Sequence, residues 1–204
     1  MKLYYLPGAC PLASHIALEW IGKPYETHAV SRDELKQPAF LAMNPLGAVP
    51  VLQDEGLTLT QSSAILEYLA EKNPEANLLG KTIQERAETR RWLAFVNADI
   101  HRNFGVMFGV QRYADQESTQ AEVRGKTAEV LKKLFTVANQ QLAGKQWLTG
   151  TRSVADAYLY VTLRWAHVMK IDLSGLDNLD AFYQRMEQDP AVQTALRAEG
   201  LVKD

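Results

Sequence analysis

The sequence predicts a two-part protein, a small α/β domain followed by a larger all-helical one. Three observations carry that expectation. Short β-rich runs alternate with helical patterns in the first third of the chain. Strand signals largely vanish after it. Between the two regimes the stretch NPEANLLGK, residues 73–81, follows neither pattern. On this reading residues 1–78 form the α/β domain, 79–84 the linker and 85–204 the helical domain.

Taken in order, KLYYL is a β-rich run ended by the turn-forming pair Pro7-Gly8. PLASHIALEWIGK follows with Leu12, Ile16 and Ile21 near helical spacing and Gly22 placed as a C-cap. YETHAV reads as a second strand, and LKQPAFLAMNP as a loop holding a short helix. VPVLQ and LTLT are strands flanking the turn Asp54-Glu55-Gly56, and SSAILEYLAEK is a helix opened by Ser62 as N-cap. The expected product is a four-stranded sheet with helices on both faces. Beyond the linker, Thr82 and Glu85 form a capping-box candidate for a helix running to about Phe108, and STQAEVRGKTAEVLKKLFTVANQQLAG is a long amphipathic stretch. Ser153 and Asp156 make a second box ahead of AYLYVTLRWAHVMK, while Asp177 with Asp180, and Asp189-Pro190, open two last helices.

Composition narrows the function classes. The 204 residues carry 22 basic and 24 acidic side chains, a net charge of −2, so no basic field is available for nucleic acid or anionic lipid. No apolar run approaches the roughly 18 residues of a membrane span, and the seven residues between Lys2 and Cys10 are too few, and too broken by Pro and Gly, for a secretion signal. A single cysteine closes no internal disulfide and fits a reducing compartment. The expectation is a cytoplasmic protein with no membrane or nucleic-acid partner.

Four features could carry chemistry. Cys10 stands at the first turn of a helix, where dipole and free amides favour thiolate, but a small buried apolar side chain accounts for it equally well. In NPLGAVPVL, Val49-Pro50 joins a loop to a strand; a cis bond there would turn the Val49 backbone outward as a docking ladder, and trans is the commoner form. In TQSSAIL, a helix start at Ser62 can hold a carboxylate and Gln61 offers a donor and an acceptor, which is also ordinary capping. In RRWLAFVNADIHRNFGV, Leu93, Val96, Ile100 and Phe104 form a core stripe, and Ala94, Ala98, His101 and Gly105 a small-residue face where another helix, a subunit or a ligand could approach. His15, His28 and His167 share no metal-ligand spacing with Cys10, so no metal is expected. A second cysteine for a dithiol cycle is absent.

Together MKLYYLPGACPLASHIAL, NPLGAVPVL, LTQSSAILEYLAEK and SVADAYLYVTLRWA have the order and spacing of bacterial cytosolic glutathione S-transferases, and the Pro-Gly-x-Cys start with a downstream His101 most resembles the beta class. The resemblance implies a thioredoxin-like first domain, an all-α second domain and a homodimer, with glutathione as co-substrate in the cleft between domains and a small hydrophobic electrophile beside it. It implies that Val49-Pro50 is a cis junction pairing with the cysteinyl part of glutathione, and that Gln61 and Ser62 hold the γ-glutamyl end. It places Cys10 and His101 beside the glutathione sulfur as catalytic residues, lists Asp99 among the glutathione contacts, and offers Lys36 for the glycyl carboxylate. Phe104, Met107, Phe108, Tyr113 and Trp165 are the expected electrophile wall, and Ser153 to Asp156 a structural box. Gln61-Ser62 departs from the acidic-glycine pair usual in the beta class, and Ala94 and Ala98 replace polar residues that reach glutathione across the dimer. The implied activity is conjugation, with thiol transferase or peroxidase chemistry through Cys10 as a variant; a non-catalytic binder of glutathione or hydrophobic ligands is the alternative.

Overall fold

The computed structural model describes residues 1–202. Strands β1 (Lys2–Tyr5), β2 (Glu26–Ala29), β3 (Val51–Asp54) and β4 (Leu57–Thr60) form one sheet in the order β2-β1-β3-β4. β1 pairs parallel with β2, Leu3 opposite Thr27, and antiparallel with β3, Leu3 opposite Leu52. The period-two alternation of a strand decides which residues serve which face. Leu3 and Leu52 turn to helices α1 (Pro11–Ile21) and α3 (Ser62–Lys72), whereas Tyr4 and Val51 turn to Phe40 of the short helix α2 (Pro38–Met43). Helices thus cover both faces, as the alternating pattern predicts.

α1 ends where expected: Gly22 adopts φ 71° and its N–H closes on the Leu18 carbonyl. The helical half contains α4 (Ile83–Ala94), α5 (Arg102–Phe108), α6 (Glu117–Gln141), α7 (Val154–Val168), α8 (Asp177–Glu187) and α9 (Pro190–Ala198). Both capping boxes form, Thr82 with Glu85 and Ser153 with Asp156. Asp189 caps α9 by accepting from Ala191 N and Val192 N.

Two local expectations need correction. Residues 82–108 are not one regular helix, because Phe95–His101 is a π-helical stretch. Ser62 is the first residue of α3 and not its N-cap; Gln61 holds that position with φ 73° and makes no capping bond, so the chain enters the helix through a strained left-handed residue. Asp177 opens α8 as expected, as its first residue after the N-cap Leu176.

α1 is the hinge of the architecture. It packs on β1 and α3 on one side and on α7 and α9 on the other, so a single apolar cluster runs from Leu3 through Leu93, Phe104 and Tyr158 to Leu196. α7 is buried on every side along most of its length, which explains why its sequence is apolar all round. No helix among the described residues is long and apolar enough to cross a membrane.

Candidate active site

The turn into α1 is held from the other half of the molecule. Gly8 adopts φ 72°, a conformation that suits glycine; its N–H donates to Glu199 Oε2 (2.8 Å) and its carbonyl accepts from Trp165 Nε1 (2.8 Å). Glu199 is buried and also meets His15 Nδ1 at 3.0 Å. Both backbone polar groups of Gly8 are thus fixed by the helical domain, two residues before Cys10.

Cys10 is the N-cap of α1, with Pro11 following, and its Sγ donates to the Val49 carbonyl at 3.6 Å. Val49 itself precedes a cis bond to Pro50. The loop leading there is braced by Asn44, whose Nδ2 donates to the Ala48 carbonyl (2.6 Å) and whose Oδ1 accepts from Leu46 N (3.2 Å). Against the helix-dipole expectation, burial pushes the Cys10 thiol up to about 11, and the Ser62 hydroxyl beside it only partly offsets that rise. In this site desolvation outweighs the helix terminus, so the thiol is neutral at physiological pH.

Across from Cys10, Asn97 and His101 stand four residues apart in the π-helical stretch and face the cleft, while Val96 and Ile100 remain in the core. Both meet the hydroxyl of Tyr158 on α7. The Tyr158 O–H donates to Asn97 Oδ1 at 3.1 Å, and His101 Nδ1 also bonds to the same hydroxyl. A phenol has one proton. With that proton given to Asn97, His101 must carry its own proton on Nδ1, which leaves the Nε2 lone pair free. Burial holds the imidazole below its ordinary range, so it is neutral near pH 7.

These residues line one cleft of about 600 Å³ between the domains. One wall carries Cys10, Val49, Pro50, Gln61 and Ser62; the other carries Asn97, His101, Arg102, Gly105, Arg112, Tyr113 and Tyr158. Six of the eight residues singled out from sequence therefore meet there. Lys36 does not: it lies exposed on the turn Glu34–Lys36, paired with Asp33. Asp99 is exposed on the helix, outside the cleft. Of the expected electrophile wall only Tyr113 lines the cleft. Phe104 faces the core against Phe135, and the Trp165 indole is committed to Gly8. Among the described residues no group of three His, Cys, Asp or Glu could hold a metal ion.

Sequence reasoning missed Tyr158, Asn97 and the two arginines. For Tyr158 the sequence holds a signal: a buried tyrosine in a largely apolar helix needs a hydrogen-bond partner for its hydroxyl.

The sheet with its flanking helices is a thioredoxin-like domain, and joined to an all-helical domain it defines a two-domain architecture with its cleft at the seam. Residues 1–71 match the family model for the glutathione S-transferase N-terminal domain, and residues 92–190 that for the C-terminal domain. The chain belongs to the glutathione S-transferase family. It is 48% identical, over 98% of its length and 100% of the relative's, to glutathione S-transferase GST-4.5 of Xanthomonas campestris pv. campestris. It superposes with a TM-score of 0.95 on a glutathione S-transferase from Xylella fastidiosa, 45% identical, covering 98% and 99% of the two chains. A sphingomonad glutathione S-transferase complexed with glutathione gives 0.87 at 37% identity, covering 99% and 100%.

Proposed function

We propose that this glutathione transferase binds glutathione along the Val49–Ser62 wall and ionises its thiol at the Cys10–Tyr158–His101 cluster for attack on a hydrophobic electrophile. The observation that carries the reading is the convergence of Cys10, the outward Val49 backbone, Gln61-Ser62 and a neutral His101 on one cleft. The complex of the sphingomonad relative with glutathione supports it.

In the proposed cycle the γ-glutamyl carboxylate meets the Ser62 hydroxyl and the amides opening α3, where the helix dipole favours an anion. The Val49 backbone pairs with the cysteinyl unit. The glutathione thiol gives its proton to His101 Nε2, the position left free by the Tyr158 bond. The Cys10 S–H then turns from the Val49 carbonyl to donate to the new thiolate. The sulfur pair attacks the electrophilic carbon, the carbon–sulfur bond forms as the leaving group departs with its electrons, and the imidazolium returns its proton to water.

A thiol held near 11 suits Cys10 as a hydrogen-bond donor better than as a redox nucleophile. Conjugation is therefore its main assigned role, ahead of thiol transfer or peroxide reduction. Lys36 and Asp99 receive no role. We assign the protein to the beta class on its Pro7-Gly8-Ala9-Cys10 start and cleft histidine, and to a cytoplasmic homodimer as the family resemblance implies.

The test is a glutathione titration by calorimetry followed by conjugation assays with 1-chloro-2,4-dinitrobenzene. Binding with turnover, lost together in Ser62→Ala and reduced in kcat by His101→Ala, is expected. An absence of binding contradicts the proposal.

A further inference from the structure

We propose that the electrophile accepted by this cleft is an anion, a flat apolar molecule bearing a carboxylate that sits between Arg102 and Arg112. The inference rests on glutathione occupying the opposite wall. The cleft lining contains both guanidiniums and no aspartate or glutamate. Arg90, Arg91, Arg152 and Arg164 each lie within 4.0 Å of a carboxylate, whereas among the described residues Arg102 and Arg112, like Arg32, Arg86, Arg124, Arg185 and Arg197, pair with none; of these unpaired arginines only Arg102 and Arg112 line the cleft. Two cations left without partners at one cleft mouth set a positive field where the second substrate must enter.

The floor between them is shaped for a flat molecule. Gly105 lines the cleft, and a Cβ added there would meet nothing within 4 Å, so this stretch of α5 presents bare backbone and open space. Gly109, one turn on, lets the Arg112 side chain cross the helix: a Cβ there would come within 3.5 Å of Arg112 Cδ. Val106 and the exposed ring of Tyr113 supply the apolar sides. Both arginines stand on the helical wall, whereas Val49, Gln61 and Ser62, which receive glutathione, stand on the other. With glutathione along the opposite wall, the guanidiniums of this one are left to a charge on the electrophile.

A matched pair of probes tests this: 4-chloro-3-nitrobenzoate and 4-chloro-3-nitrobenzamide share ring and leaving group and differ in charge. With each rate normalised to the uncatalysed reaction with glutathione at the same pH, the benzoate is expected to be favoured in kcat/KM by about tenfold or more. The preference should shrink toward unity between about 20 mM and about 500 mM salt. Arg102→Gln and Arg112→Gln should each lower the benzoate-to-benzamide ratio, and Arg112→Lys should retain more of it than Arg112→Gln. Turnover of both probes with a ratio at or below one overturns the inference and leaves the glutathione reading intact. So does a rise in KM for glutathione, equal with both probes, in the arginine variants, since that assigns the cations to the glycyl carboxylate. Absence of turnover together with absence of any glutathione-dependent rise in Tm overturns both readings.

Discussion

Cys10 is the one cysteine of the chain, so its ionisation can be read without interference. Burial raises its thiol from the ordinary 9.0 to about 11, a preference for the neutral form of about 3 kcal/mol at 1.36 kcal/mol per unit. At pH 8 the folded protein then holds about 0.1% thiolate, against about 10% for the same thiol unfolded, a difference of about 100-fold. The more basic thiolate is intrinsically more nucleophilic by about eightfold, from a Brønsted slope near 0.45 over two units. Net alkylation of the folded protein by iodoacetamide at pH 8 should be slower by about tenfold than of the urea-unfolded chain, before any steric shielding. The assay is mass-spectrometric alkylation rate against pH, folded and in urea, with and without glutathione. The folded rate should climb until about pH 11, and saturating glutathione should suppress it. A folded protein whose alkylation levels off at or below pH 9 would refute the claim that desolvation wins over the helix terminus. The same linkage bears on stability: with the folded value raised, the contribution is complete below pH 9 and is lost as pH rises through about 11.

Tyr158→Phe removes the hydroxyl that fixes the His101 proton on Nδ1; kcat should fall about tenfold, the value of one such hydrogen bond, with little change in KM for glutathione, as steady-state kinetics will show. Glu199→Ala strips the acceptor from the half-buried Gly8 N–H and from buried His15; urea unfolding should report a loss of about 2 to 4 kcal/mol, and conjugation should weaken as the Cys10 turn loosens. Asp156 is buried and its carboxyl is raised to about 6, so its contribution is complete below pH 4 and lost as pH rises through 6, about 3 kcal/mol in all. Urea midpoints of Asp156→Asn between pH 4 and pH 7 should therefore lack that decline, whatever the variant's overall stability.

The two-domain plan was legible because hydrophobic period changes at the linker, and the individual helix ends because Thr82, Ser153, Asp189 and Gly22 are capping residues whose chemistry is local. Six site residues were legible because each lies in a short segment of distinctive order. What stayed hidden depends on contacts distant in sequence. Tyr158 reads as core until α7 is packed 57 residues away against His101. Arg102 and Arg112 look like surface charge until the fold sets both in a cleft lined, among the described residues, by no aspartate or glutamate. The ionisation of Cys10 stayed open because a helix start is visible in sequence and desolvation is not. Asp99, offered by the resemblance and not by any local pattern, is exposed and outside the cleft lining.

The central claim is that this cleft ionises glutathione through a neutral His101 with Cys10 as donor. The ultraviolet band of thiolate, followed against pH for glutathione bound to Cys10→Ala and to Cys10→Ala/His101→Ala, tests it most directly, since the bound tripeptide then carries the only thiol. The account predicts a bound thiol below the free value of about 8.5 in the single variant, moving back toward it when His101 is lost. A bound thiol that titrates at the free value with His101 present would contradict it.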